Sequence, residues 1–324
     1  MIDYKYLMYM IILVILGYLY DKYNIHNKML NENKQYDIVK KYLLKESSLA
    51  KSKLPILWIH IDKELNARDW ESFYSRTSNK LNQPYKLLTV KSIIDKCGDD
   101  FNICIIDDTT FSNLIPGWIT NLNLVADPVK TKLRDLALAK LLYNYGGFLI
   151  PSSFLCLKNL NTLYYDTIKD DKIGVGEMIN TSETAIDNVF ALENAFISCG
   201  KNNSIIDKYI QYMSELISTD YTAESIFTGA QQNWFESELR TNNAINIISA
   251  ENIGTIDNNN NIITLERLAG NIFIELSNST YGIYFPEKEI LNKLKYQWIA
   301  KLSTDEILHS DTNIGKFILY SQNI

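Results

Sequence analysis

Cysteine and histidine are scarce in this chain of 324 residues, four of the first and three of the second. Cys97, Cys104, Cys156 and Cys199 form no C-x-x-C pair, and no His stands at ligand spacing from them, which argues against a zinc site. Cys104 and Cys156 sit inside apolar runs, where cysteine behaves as a small hydrophobe. Disulfide pairing is left open by the spacing. No block of Lys and Arg interrupts a formal net charge of −6, which disfavours a nucleic-acid partner. No Ser/His/Asp or Cys/His nucleophile pattern is recognisable. Internal repeats are absent, and no Pro-, Gly- or Ser-rich linker divides the chain.

What is present is ordinary globular composition, 46% hydrophobic and 22% charged. Residues Tyr6–Tyr20 (YLMYMIILVILGYLY) carry no charge and are bracketed by Lys5 and Lys22. A helix of that length rises about 22 Å, short of a hydrocarbon core of about 30 Å. Snorkelling lysines and local thinning cover the difference. Tyrosines cluster at both ends as an aromatic belt does. The segment reads as an N-terminal transmembrane anchor (1–23), followed by a polar stem (24–52) and one α/β domain (53–324). A signal peptide and a buried core helix are the competing readings. Lys22, Lys28, Lys34 and Lys40 follow the span, so the positive-inside rule puts the domain in the cytoplasm, whereas a secretory-pathway transferase needs the opposite side. Orientation stays open.

Within the domain, Leu54–Ile61 (LPILWIHI) reads as a buried strand. A helix is expected at Asp69–Leu81, a second strand at Tyr85–Val90 and a third at Asn102–Ile106. Asp127-Pro128 signals a helix start, with Asp as cap and Pro in the first turn. That helix runs to Tyr145 and stops at Gly146-Gly147. Phe148–Ile150 reads as a short buried strand and Ile205–Ile217 as a helix. Asp257–Asn261 reads as a hairpin tip, and Glu287–Leu302 as a final helix. Strands alternating with helices predict an α/β fold with a largely parallel sheet.

On the helix before Gly146, only Lys140 and Asn144 form a polar strip, so it is mostly buried. Arg134 and Asp135 fall on its apolar side, where charges are paired or functional. Asp135 either finds a structural partner or projects toward a ligand at the carboxyl edge of the sheet, where open α/β sheets bind.

The segment from Leu133 to Leu157 resembles the centre of the DXD-type glycosyltransferases that include capsular-polysaccharide and mannosyl transferases. Their pattern is S-D-x-x-R, an apolar helix, L-Y-x-Y-G-G, a short strand and D-x-D. Asp135 matches the Asp, which the resemblance assigns to nucleotide binding. Leu142–Gly147 matches L-Y-x-Y-G-G. Leu138 stands in place of the Arg, with Arg134 one turn earlier as a substitute. Pro151-Ser152-Ser153 stands in place of D-x-D. Weaker echoes are Leu54–Ile61, Asn194-Ala195-Phe196 and Thr228-Gly229. The resemblance implies a GT-A-like (Rossmann-like) fold and a nucleotide-sugar donor, UDP- or GDP-linked.

The lost carboxylates matter chemically. D-x-D holds a divalent metal that offsets charge on the leaving diphosphate. Hard cations take carboxylate oxygens, and Pro and Ser do not supply them. No metal is therefore expected at 151–153. Donor contacts are expected from Asp135, Arg134, Ser152, Ser153 and Asn194, with Gly146 and Gly147 permitting close backbone approach. The catalytic residue is not identified. A catalytically inactive, membrane-anchored scaffold or glycan-binding protein is the alternative, since fold does not carry function. Other positions admit bland readings. Asp107-Asp108 caps the next helix, or supplies metal ligands or a general base. His60 and His309 read as structural or solvent-facing. Gln231-Gln232-Asn233 reads as polar surface or as sugar contacts. Trp58, Trp118, Trp234 and Trp298 stack on a sugar or fill the core. Gly174-Val175-Gly176 before Glu177 is too short for a dinucleotide fingerprint.

Overall fold

The computed structural model describes residues 54–61, 83–178, 191–219 and 225–322. The expected anchor, the stem and the expected helix at 69–81 lie outside the described residues. No helix among the described residues is long and apolar enough to cross a membrane.

The described chain opens on β1 (Ile56–His60), then α1 (Tyr85–Cys97), β2 (Asn102–Ile106), the short α2 (Phe111–Leu114) and α3 (Val129–Tyr145). β3 (Gly147–Pro151), β4 (Phe154–Cys156), α4 (Asn161–Thr167), β5 (Ile173–Glu177) and β6 (Leu192–Cys199) follow. Next come α5 (Ser204–Ser218), α6 (Ser225–Asn242), β7 (Ile245–Ile248), α7 (Leu265–Ala269) and β8 (Gly282–Tyr284). Four short helices finish the described chain: α8 (Glu287–Asn292), α9 (Gln297–Lys301), α10 (Thr304–Leu308) and α11 (Asn313–Gln322).

Six strands form one sheet in the order β2-β1-β3-β6-β5-β7. β6 runs antiparallel to both neighbours, and the remaining pairs are parallel. The α/β class and the mostly parallel sheet are therefore as expected, and the arrangement is consistent with a GT-A-like fold. β4 and β8 form a separate antiparallel pair. Leu57, Trp58 and Ile59 are at most 1% exposed, as a near-continuous apolar run demands of a strand covered on both faces. Successive residues of β6 show which helix covers which face. Cys199 Sγ donates to the Leu142 carbonyl of α3, whereas Ser198 Oγ bonds Thr167 Oγ1 of α4. Alternate strand residues face opposite sides, so α3 and α4 lie on opposite faces of the sheet.

Three local expectations are corrected. Tyr85–Val90 is the first half of α1, not a strand. The window YKLLTV is rich in strand formers, but of the buried residues Tyr85, Leu88, Thr89, Val90, Ser92, Ile93 and Cys97 all save Val90 follow the three-and-four spacing of a helix, visible only when the window is extended. Glu287–Leu302 is two helices, and it is not the last helical part. The chain turns extended at Lys293, and the Gln297 side chain donates to the Leu291 carbonyl at 2.6 Å, satisfying a helix-end acceptor without any Gly or Pro signal. Asp127 does not cap α3. The cap is Pro128 without a side-chain bond, and the Asp127 carboxylate accepts from Thr131 Oγ1 at 2.6 Å.

The hairpin tip is as expected: Ile256 and Ile262 bridge, and Asp257 accepts from the Asn259 and Asn261 backbone N–H groups. All four cysteines are buried and free.

Candidate functional site

β1, β2 and β3 end side by side, with His60 opposite Ile106 on one flank and Pro151 on the other. The turn after β2 splits the Asp107-Asp108 pair between two jobs. Asp107 accepts from the Thr109 and Thr110 backbone N–H groups at 2.9 and 3.1 Å, the local turn expected of it. Asp108 points elsewhere. Its carboxylate takes Arg134 side-on, from Nε at 2.8 Å and Nη2 at 2.7 Å, and meets His60 Nε2 at 2.9 Å. Burial alone would raise the Asp108 pKa. The hydrogen bonds from Arg134 and His60 outweigh it and hold this carboxyl well below the usual carboxylate range. The His60 ring stacks on Phe111 with centroids 5.7 Å apart and planes 7° off parallel.

One residue further along α3 the environment changes. No residue of α3 is fully exposed, in line with the buried helix expected from its periodicity. Asp135 accepts from Gln231 Nε2 of α6, and the same amide's Oε1 accepts from Lys132 Nζ. Asn194 of β6 stands near enough to favour the charged form of Asp135. Burial pushes the Asp135 pKa up, and Gln231, Lys132, Asn194 and Lys288 only partly offset it. Glu193 shows the same sign: desolvation raises it, Lys288 lowers it, and Asp135 raises it further. Asp135 is half-buried, and Glu193 is exposed. Lys132 is 4% exposed, its Nζ 5.8 Å from the Phe227 ring centroid, and burial lowers its pKa. Lys288 of α8 is exposed.

The structure thus brings Asp135 and Asn194 together and ties Arg134 to a different group. Ser152 and Ser153 are 4% and 0% exposed. The Ser152 carbonyl accepts from Thr89 Oγ1 of α1 at 2.6 Å, and the Ser153 carbonyl from the Phe285 N–H at 3.1 Å. Ser153 Oγ has no hydrogen-bond partner among the described residues. Gly146 and Gly147 lie at the amino end of β3, away from this edge. Gly147 has φ +109°, and a Cβ there would sit 2.2 Å from the Ile56 carbonyl oxygen. The close approach these two glycines permit is between the chain's own segments, with Trp58 Nε1 donating to the Gly146 carbonyl at 2.9 Å. Gly174 and Gly176 likewise leave room for Ser198, Thr167 and Phe196. Among the described residues, no three His, Cys, Asp or Glu side chains group closely enough to hold a metal.

Sequence reasoning did not identify Lys132, Glu193 or Lys288, left Gln231 between a sugar contact and polar surface, and gave His60 a bland reading. The partners of His60 and Asp135 lie 48 and 96 residues away in sequence, so no local pattern announces them. Buried Lys132, one turn before Asp135, was the available signal.

No protein-family model and no curated protein matches the chain. Among solved structures, one described as "PaToxG Glycosyltransferase" aligns over 67% of this chain and 80% of its own, at 17% identity and a TM-score of 0.35. A likeness that distant carries no conclusion about fold or function.

Proposed function

We propose that this chain is a glycosyltransferase-like protein that takes a nucleotide sugar at the carboxyl edge of its sheet and transfers the sugar without a D-x-D-held metal. The observation that best supports this reading is the set of groups around Asp135. It pairs a carboxylate of raised pKa with neutral amides from Gln231 and Asn194, on the helix that carries the family resemblance and at the edge where open sheets take ligands. Asp135, Gln231 and Asn194 then hydrogen-bond donor hydroxyls. Arg134 acts through Asp108. Exposed Lys288 meets the charge of the diphosphate. Gly146 and Gly147 set the α3–β3 junction at the other end of the strand, and Ser152 and Ser153 are buried at its carboxyl end. A glycan acceptor and an N-terminal membrane anchor at 1–23 belong to the same proposal. Release of full-length protein from membranes by carbonate wash alone would contradict the anchor.

The test is titration of the full chain with UDP-glucose, UDP-N-acetylglucosamine and GDP-mannose, with and without Mn²⁺, following thermal stability and nucleotide release. A donor at 100 times its Kd adds about 2.7 kcal/mol of stability. No shift and no release with any donor sinks the proposal. A shift without release selects the second reading, a non-catalytic binding protein. The locked Arg134–Asp108 pair and the Pro151-Ser152-Ser153 replacement favour that alternative. A strict requirement for Mn²⁺ would refute the metal-free account.

A further inference from the structure

We infer that Cys97 and Cys156 are a redox-sensitive pair, which a hydroperoxide converts to a disulfide that ties the end of α1 to the end of β4. The inference is independent of the transferase reading above.

Cys97 is the last residue of α1 and Cys156 the last of β4. Their Sγ atoms stand 3.8 Å apart, in contact, although 59 positions separate them in sequence. Both side chains are fully enclosed. The sulfurs of a disulfide lie about 2.05 Å apart, so closure asks for an approach of about 2 Å. The two backbones are already held side by side. Thr89 Oγ1 donates to the Ser152 carbonyl at 2.6 Å, and the Cys156 N–H donates to Ser92 Oγ at 2.9 Å. Just beyond the pair, Asn159 Nδ2 donates to the Lys96 carbonyl at 2.9 Å. Closure is thus left mainly to rotation of the two side chains.

The other two thiols are placed differently. Cys104 and Cys199 each donate to a carbonyl, of Asn102 and Leu142, at 3.6 Å. Burial raises the pKa of both. Cys156 Sγ donates to the Lys158 carbonyl at 3.0 Å, and burial raises its pKa as well, so it keeps its proton. Cys97 alone among the four moves down, because its contact with Cys156 outweighs burial. The thiolate is the reactive form, so Cys97 attacks first and Cys156 resolves. A pair this enclosed is closed to bulky reagents, whereas a small hydroperoxide enters through local opening.

The chemistry balances in two steps. The Cys97 thiolate attacks one peroxide oxygen, the O–O bond breaks, and its electron pair leaves on the other oxygen. That oxygen takes up the Cys97 proton and departs as water (as an alcohol from an alkyl hydroperoxide), leaving a sulfenic acid on Cys97. The Cys156 sulfur then attacks the Cys97 sulfur. The S–O bond breaks, and hydroxide leaves with the Cys156 proton as water. Two thiols are oxidised and one peroxide is reduced. The loop so closed contains β2, α3 and β3, and with them Asp108, Arg134 and Asp135. Cross-linking a loop of that length restricts the unfolded chain.

The experiment treats the folded full chain with hydrogen peroxide, blocks the remaining thiols with N-ethylmaleimide in urea, and maps the products by mass spectrometry. The Cys97 and Cys156 peptides should be joined within one chain, while Cys104 and Cys199 carry the maleimide. The linked chain should unfold at a urea midpoint higher by about 1 M than the reduced chain, and dithiothreitol should abolish the gain. Cys156→Ala should stop at a Cys97 sulfenic acid that dimedone traps, and Cys97→Ala should give no dimedone adduct at Cys156. Should either variant fail to fold, the map of the parent chain decides alone. A link absent from the folded chain, or formed only after unfolding in urea, overturns the pair. Oxidation of all four cysteines at one rate overturns its selectivity. A linked chain with an unchanged midpoint overturns the tie between α1 and β4.

Discussion

Arg134 and Asp135 are neighbours on α3, yet the fold answers one with charge and the other with amides. Arg134 finds the Asp108 carboxylate at two points, and His60 completes a three-residue set. Asp135 accepts from the neutral Gln231 amide, with Asn194, Lys132 and Lys288 near enough to offset its desolvation only in part. The pKa shifts follow: Asp108 is held down by its partners, whereas Asp135 is pushed up by burial. The first arrangement is one a protein keeps for rigidity. The second leaves a carboxylate whose desolvation is only partly offset, a cost that a ligand's donors relieve.

The largest effect should come from breaking the first set. Asp108→Ala strips the carboxylate from Arg134 and His60 and leaves a shielded guanidinium short of its partner. The expected loss is about 3–5 kcal/mol in urea unfolding. Replacing Arg134 as well, in Asp108→Ala/Arg134→Met, should recover part of it. A loss below about 1 kcal/mol would mean the set is a solvated surface contact.

The second prediction reverses the sign at the neighbouring position. Asp135→Asn keeps the shape and the acceptor for Gln231 while removing the desolvated charge. Stability at pH 7 should stay level or rise by about 1 kcal/mol. The donor-induced thermal shift should disappear. A variant destabilised as strongly as Asp108→Ala would make Asp135 a structural ion, and the comparison would collapse.

The same contrast should appear against pH. Asp108 has a depressed folded pKa, so its contribution is present above the unfolded value of about 3.9 and is lost as pH falls through the folded value. Asp135 has a raised folded pKa, so the native state holds its proton longer. Its penalty sets in as pH rises through about 3.9 and is complete above the folded value. Relative to the parent chain, Asp108→Asn should therefore lose stability, and Asp135→Asn gain it, between acid and neutral pH. Denaturant midpoints measured from pH 3 to pH 8 decide it. Curves that diverge in the same direction would refute the assignment.

These residues were unequally legible in the sequence. α3 and its stop at Gly146 could be read because periodicity and a positive-φ glycine are local signals. The α/β class followed from alternation along the chain. The misread start of α1 shows the limit of a short window, where strand-forming residues hid a helix that its buried face later declares. Burial of Arg134 and Asp135 was readable from the helical wheel, but their partners were not. Asp108 lies in a turn that also suits capping, and Gln231 lies on a helix 96 residues downstream. Only the folded chain separates Asp107, which makes the turn, from Asp108, which holds Arg134 and His60.

Ser153 provides the smallest and most discriminating test of where ligand contacts end. Its side chain is fully enclosed and its hydroxyl has no hydrogen-bond partner among the described residues. A buried hydroxyl that makes no hydrogen bond carries its desolvation cost uncompensated. Ser153→Ala should therefore leave stability unchanged or raise it by about 1 kcal/mol, within the room the smaller side chain vacates. If the donor sits against Asp135 and Gln231, the donor-induced thermal shift of Ser153→Ala should equal that of the parent chain while Asp135→Asn abolishes it. A shift reduced tenfold or more in apparent affinity would instead mean that Ser153 meets the donor. The carboxyl end of β3 would then still bind the donor, through a hydroxyl where D-x-D proteins use a metal.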